Sequence, residues 1–230
     1  FQHVRAKIRA LASGNPEEIA RGFRENLAQG KYLNADAERY GYVVALQRAR
    51  QFATARTEIR KLIEQRPERI AYRILQAEIE MAADNPKQAL IIFAEAYAKA
   101  PTNAPLAHHY ASALLKTGKH RQARDLLQAA LRRRPEDPEL HRMLAQAAGG
   151  AGDNFEAHRA MDEHYYLDGN PHAAIEQLRL ATRFAGDSFY LQSSIEARIA
   201  MTAITTRSSI NVKAPGHRRR NRPGRTPADG

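Results

Sequence analysis

The sequence predicts an all-α solenoid of stacked antiparallel helix pairs, and three observations predict it: an internal period of 34 residues, a composition dominated by small apolar side chains, and recognisable caps at the helix starts. Pro67, Pro101 and Pro135 are spaced by 34 residues, as are Ala55, Ala89, Ala123 and Ala157, and each proline lies 12 residues behind its alanine. Alanine is abundant enough to coincide by chance, but the matched proline phase is not. Of the 230 residues, 42 are alanine and 7% are aromatic, which favours close-packed helices over the β-branched and aromatic pattern of strands. The lack of cysteine excludes disulfides, thiolate metal ligands and a cysteine nucleophile.

The elements follow in order. Residues 1–35 are expected to form an opening helix pair, Gln2 to Ala12 and Pro16 to Gln29, the second announced by Asn15 with proline at the first helical position, where no amide donor is needed. The solenoid spans 36–187 as four to five repeats, with pairs at 36–67, 70–101 and 104–135 and a fourth starting at Pro138. Asn85-Pro86, Asp137-Pro138 and Asn170-Pro171 carry the same cap signature. The fourth pair's second helix, near Phe155 to Leu167, is followed by a helix from Pro171 to Phe184. Ala174 lies half a period after Ala157, so this helix closes one repeat and opens the next. A capping helix occupies 188–208, because a solenoid's end must be covered. Beyond it, 209–230 loses apolar periodicity and reads as a basic, disordered tail with Pro215, Pro223, Pro227 and an arginine cluster.

Within the period, Val43, Ala77, Ala111 and Ala145 are mostly small residues where paired helices must approach. Ile59, Phe93, Leu127 and Met161 place a large apolar side chain four residues after each repeat alanine, on the same helical face. Gly118 and Gly152 fall between paired helices, where positive φ suits glycine, whereas their counterparts Arg50 and Asp84 depart from the pattern. This spacing resembles the tetratricopeptide (TPR) repeat, which implies a right-handed superhelix of helix pairs.

Chemistry by motif is not expected in this segment. No histidine is followed directly by glutamate, so the H-E-x-x-H zinc motif is missing, as are the G-x-S-x-G elbow and the Walker phosphate loop. No metal site and no catalytic residue is assigned. His158 and Asp162, four apart with His164 nearby, read as an exposed ion pair with solvated imidazoles. His108 and His109 are adjacent and so point to different faces. Arg132, Arg133 and Arg134 end a helix, where cations complement the carbonyl end of the dipole. Tyr165 and Tyr166 divide between core and surface. The net charge is +11, of which 209–230, with six cations against Asp229, holds +5 and the first 208 residues hold +6, so a nucleic-acid reading must explain the body as well as the tail. Nucleic acid is not the expected partner: a short basic tail raises the isoelectric point without building a surface. No stretch is long and apolar enough to span a membrane.

In a solenoid of helix pairs the first helices line the concave side, forming a groove suited to a polypeptide segment. The repeat resemblance names its face as Tyr40, Ile74, His108 and Arg142 at one position, Val44, Glu78, Ser112 and Gln146 at a second, and Gln47, Met81 and Leu115 at a third, with Arg48 and Lys116 beside them. Several of these are expected merely to pack against the next repeat. The subclass that clamps C-terminal carboxylates needs lysine and asparagine where this chain has Tyr40 and Val44, and is set aside.

The final third is more specific. Ala157-His-Arg-Ala-Met-Asp-Glu-His-Tyr-Tyr-Leu-Asp-Gly-Asn-Pro-His-Ala-Ala-Ile-Glu-Gln-Leu-Arg-Leu-Ala181, with Phe189-Tyr190 and Ser194-Ile-Glu-Ala-Arg-Ile199, resembles the C-terminal end of periplasmic zinc metalloproteases related to the β-barrel assembly-enhancing protease. That resemblance implies a non-catalytic C-terminal module of a longer, periplasmic protease, with zinc only in a catalytic domain outside this segment and no cofactor within it. Its implied partners are a protein or peptide segment in the groove, the parent's own protease domain, and the outer-membrane assembly machinery. Two alternatives remain: a freestanding repeat adaptor in pilus or secretion assembly, and a basic helical-repeat nucleic-acid binder.

Overall fold

The computed structural model describes residues 1–184 and 189–212. Among them it contains twelve helices: α1 (Gln2–Leu11), α2 (Pro16–Gln29), α3 (Ala35–Arg48), α4 (Phe52–Gln65), α5 (Ile70–Ala82), α6 (Pro86–Lys99), α7 (Ala104–Lys116), α8 (His120–Leu131), α9 (Pro138–Gly150), α10 (Asn154–Leu167), α11 (Pro171–Thr182) and α12 (Phe189–Val212). From α3 onward each helix packs on the next, and the first helices of successive pairs also touch, α3 on α5, α5 on α7 and α7 on α9. The second helices α4, α6, α8 and α10 do not touch one another. Close contact along one row and separation along the other bends the stack, with α3, α5, α7 and α9 on the inside.

The 34-residue period is visible in the backbone as well as in the side chains. Arg50, Asp84, Gly118 and Gly152, one per pair, take φ of 57°, 59°, 70° and 86°. The two non-glycine positions therefore keep the left-handed turn despite its steric cost. Pro67, Pro101 and Pro135 all lie exposed in the turns that follow a pair. Ala55, Ala89 and Ala123 are fully buried between helices, while Ala157 is only half-buried and Ala160 takes the buried place in α10. Large side chains then fill the layers. Leu46, Ile59, Leu62, Tyr72 and Leu75 pack around α3 and α4, Phe93 and Leu106 in the middle, and Leu114, Leu127 and Leu140 beyond. Each such side chain contributes about 1.5 to 3 kcal/mol when fully buried.

The cap signatures behave unequally. Asn15 accepts from the Glu17 amide at 2.9 Å, Asp137 from Leu140 at 3.2 Å and Asn170 from Ala173 at 3.2 Å. Asn85 does not cap: its Nδ2 instead donates to Glu80 at 3.1 Å, because that buried carboxylate already receives Arg56 and draws in a further donor. The opening helices also depart from a simple hairpin. α1 and α2 barely touch each other and both pack on α3. Enclosed in this way, α3 is buried almost all round, and even Glu38 is inside, bound by Arg9 at 2.8 Å and by Asn26 at 2.9 Å. At the other end α12 continues to Val212, past the 188–208 expected from sequence. The rest of the expected tail, 213–230, lies outside the described residues.

Candidate partner-binding groove

The inner row of helices encloses two adjoining hollows. The first, of about 410 Å³, is bounded by α1 (Lys7, Leu11), α3 (Val44, Gln47, Arg48), α5 (Leu75, Glu78, Met81, Ala82), Phe93, and α7 (His109, Ser112, Ala113, Lys116). The second, of about 360 Å³, lies between α7 (His108, His109, Ser112, Leu115, Lys116) and α9 (Glu139, Arg142, Met143, Gln146). His109, Ser112 and Lys116 belong to both walls, so the hollows form one groove running across the stack.

Eleven of the thirteen residues named from sequence line this groove: Val44, Gln47, Arg48, Glu78, Met81, His108, Ser112, Leu115, Lys116, Arg142 and Gln146. Tyr40 and Ile74 do not line either hollow. Tyr40 is buried beneath α1, its ring 5.6 Å from that of His3 and 5.9 Å from that of Tyr72, and Ile74 belongs to the core around Phe93. Val44 and Leu115 form floor rather than wall, being nearly buried, at 3% and 9% exposure.

The polar residues are partly committed to one another. His109 Nδ1 lies 2.8 Å from Glu78 Oε1, joining α7 to α5, and His108 Nε2 lies 3.2 Å from Asp137 Oδ2 at the start of α9. The adjacent histidines thus point to different partners. Burial raises the Asp137 pKa, but the bonds from His108 and the Leu140 amide and the charge of Arg134 outweigh it and hold the carboxyl below its usual range. Arg142 is held by Glu139 at 2.6 Å within its own helix. By contrast Lys7, Arg48 and Lys116 have no carboxylate partner among the described residues. Arg48 Nη1 donates to the carbonyls of Ala10 and Ala12, at 2.5 and 3.1 Å, and so closes the carbonyl end of α1. A groove with an aliphatic floor and uncompensated cations suits a polypeptide better than a small enclosed substrate.

Besides His109 of the shared wall, sequence reasoning missed Lys7, Leu11, Glu139 and Met143. The first two come from α1, which the period does not include, and the latter two flank an Arg142 that was already selected. The remaining candidate clusters resolve differently. Asp162 is fully buried and is bonded by Arg198 Nε at 2.6 Å, so the expected exposed His158–Asp162 pair does not form. His158 instead bonds Gln177 at 2.9 Å and stacks on Phe184, because α11 packs over that face. His164 Nδ1 contacts the Pro138 carbonyl. Arg133 reaches the Ala129 carbonyl and Arg134 the Asp137 carboxylate, in keeping with cations at a helix C-terminus. Tyr166 is exposed and Tyr165 half-buried. No cluster of three or more His, Cys, Asp or Glu suited to a metal occurs among the described residues.

Two tetratricopeptide-repeat family models match the chain, over residues 43–104 and 80–147. Those residues are tetratricopeptide repeats, and the fold is the all-α superhelix of such repeats. Among solved structures, the chain is similar to MamA from Desulfovibrio magneticus RS-1, with a TM-score of 0.50 at 14% identity over 86% of this chain and 98% of that one. It is also similar to MamA from MSR-1, with a TM-score of 0.52 at 17% identity over 73% and 95%. YrrB, a TPR protein with an unusual peptide-binding site, aligns with a TM-score of 0.52 at 13% identity over 70% and 82%. At such identities the likeness is one of fold. No curated protein sequence matches the chain. Repeats of this kind are typically non-catalytic and serve protein–protein interaction.

Proposed function

We propose that the chain is a non-catalytic binding module that holds a polypeptide segment in the groove of α3, α5, α7 and α9. The observation that supports this most is the continuity of the groove: two hollows share the wall formed by His109, Ser112 and Lys116. A segment lying across three or four inner helices would bury apolar side chains on Val44, Met81 and Leu115 while meeting Lys116 and Arg48. Replacing Ser112, which is half-buried in the shared wall, by Trp fills the groove without entering the core. Ser112→Trp is expected to weaken binding of peptides selected against the wild-type chain at least tenfold with an unchanged melting temperature. Unaltered affinity would overturn the groove assignment.

The finer role we propose is service to a periplasmic zinc metalloprotease, presenting substrate or an outer-membrane assembly partner to it. This rests on the sequence resemblance carried by Ala157–Ala181, Phe189-Tyr190 and Ser194–Ile199 alone. The complete reading frame tests it. An upstream signal peptide and H-E-x-x-H domain are expected, and a frame opening near Phe1 would favour the freestanding adaptor instead.

A further inference from the structure

α1 is inverted in its use of apolar residues. Among apolar side chains, its inward face, packed on α3, offers only the small Ala6 and Ala10, at 3% and 0% exposure. Its outward face carries Val4, Ile8 and Leu11, at 62%, 65% and 52% exposure, with Phe1 at 95% just before the helix. Residues 1, 4, 8 and 11 are spaced three and four apart and so form one stripe along the helix. At about 100° per residue, Arg5 and Lys7 flank that stripe on its two sides. The stripe does not end in open solvent. Leu11 and Lys7 are also walls of the first hollow, beside Met81 and Arg48.

We propose that the outer face of α1 and the first hollow form one docking surface for an amphipathic helix whose apolar stripe is bordered by Asp and Glu. The inference rests on the groove reading above and specifies the partner's chemistry. Charge complementarity selects the partner: Arg5, Lys7, Arg48 and Lys116 border the apolar path, none of them in an ion pair among the described residues, whereas Glu78 is occupied by His109. A second copy of this chain would bring the same cations against themselves. A basic helix with an exposed apolar face also suits an anionic bilayer. A bilayer surface, however, cannot follow the path from Leu11 down into the concave hollow, whereas a partner helix can.

The test is a random 16-residue display library selected on the full chain, with enriched peptides synthesised and their affinities measured. Enriched sequences are expected to carry acidic residues flanking apolar ones at i, i+3 and i+4 spacing. They are expected to lose at least tenfold in affinity on both Ile8→Asp and Ser112→Trp, and severalfold on Lys7→Glu, at unchanged melting temperatures. Loss on Ser112→Trp with none on Ile8→Asp or Lys7→Glu overturns the α1 surface and leaves the groove standing. Indifference to all three overturns both. Enrichment of neutral or basic peptides overturns the assigned chemistry. Binding of the chain to phosphatidylglycerol-containing vesicles that Ile8→Asp abolishes, with no such peptides enriched, would make α1 a lipid-facing element and overturn the proposal.

Discussion

Gly41 marks the point at which α1 and α2 both close on α3. A methyl group built there would fall 2.5 Å from Phe23 Cε1 and 3.1 Å from Ala6 Cβ, and the Phe23 ring is itself buried with Arg9 over its face at 4.6 Å. Gly41→Val is expected to lower stability by about 1 to 3 kcal/mol through overpacking, read as a fall in melting temperature. Next to it, burial beneath α1 pushes the Tyr40 hydroxyl up to about 12, with the charge of Glu78 adding to the shift. The raised value favours the neutral phenol in the folded chain. Its contribution is fully present below pH 10 and is lost as pH rises towards 12, where an unfolded tyrosine has already ionised. Wild type is therefore expected to lose stability over that interval by about 2 kcal/mol more than Tyr40→Phe, at 1.36 kcal/mol per pH unit, as measured by denaturant titration. At this scale the sequence showed which residues stand at which repeat position but not which contacts they would choose. Asn85 has every feature of a cap and was drawn off by Glu80, a competition that local pattern does not contain. Arg50 and Asp84 broke the glycine pattern in letters while the backbone kept it.

Helix α12 is held to the solenoid by one guanidinium serving two acids. Arg198 Nε bonds Asp162 at 2.6 Å and its Nη2 bonds Glu163 at 2.8 Å, both in α10, while Ile195 is buried beside Leu178 of α11. Burial raises the Asp162 pKa, and the Arg198 bond opposes that rise. Arg198→Ala would leave a fully buried carboxyl without its partner, at a cost of about 3 kcal/mol. The expected result is early proteolytic cleavage in or before α12, while the inner helices stay resistant; equal protection of α12 in both proteins would refute it. Lysine is not an expected substitute, since a single ammonium lacks the fork that spans two carboxylates. The helices themselves were legible from caps and period, because both are local. The Asp162–Arg198 pair was not, because its members lie 36 residues apart on elements whose mutual approach no repeat describes. The position of α1 was hidden for a related reason: apolar patterning would bury Val4, Ile8 and Leu11, whereas the close approach to α3 needs Ala6 and Ala10.

From α3 onward the molecule is close to one-dimensional, each helix meeting its neighbours in the chain and, on the inside, the next inner helix. Its core is divided to match, into clusters around α3 and α4, around α5 and α6, and around α7 to α9. α11 touches α10 and α12 but not α9, so the inner row ends at α9. A chain ending at Asp168 is therefore expected to fold cooperatively, with a smaller denaturant m-value in proportion to the surface lost, and to keep the groove's peptide affinity. Loss of that affinity would show that the last helices shape the groove. The termination of the inner row at α9 also sets a length. With neighbouring axes about 9 Å apart, α3 to α9 spans roughly 27 Å. That footprint accommodates about eight residues of an extended strand or about eighteen of a helix. On the proposed reading the trough is a ruler as well as a clasp: segments shorter than this would leave part of it wet, and longer ones would overhang its edge.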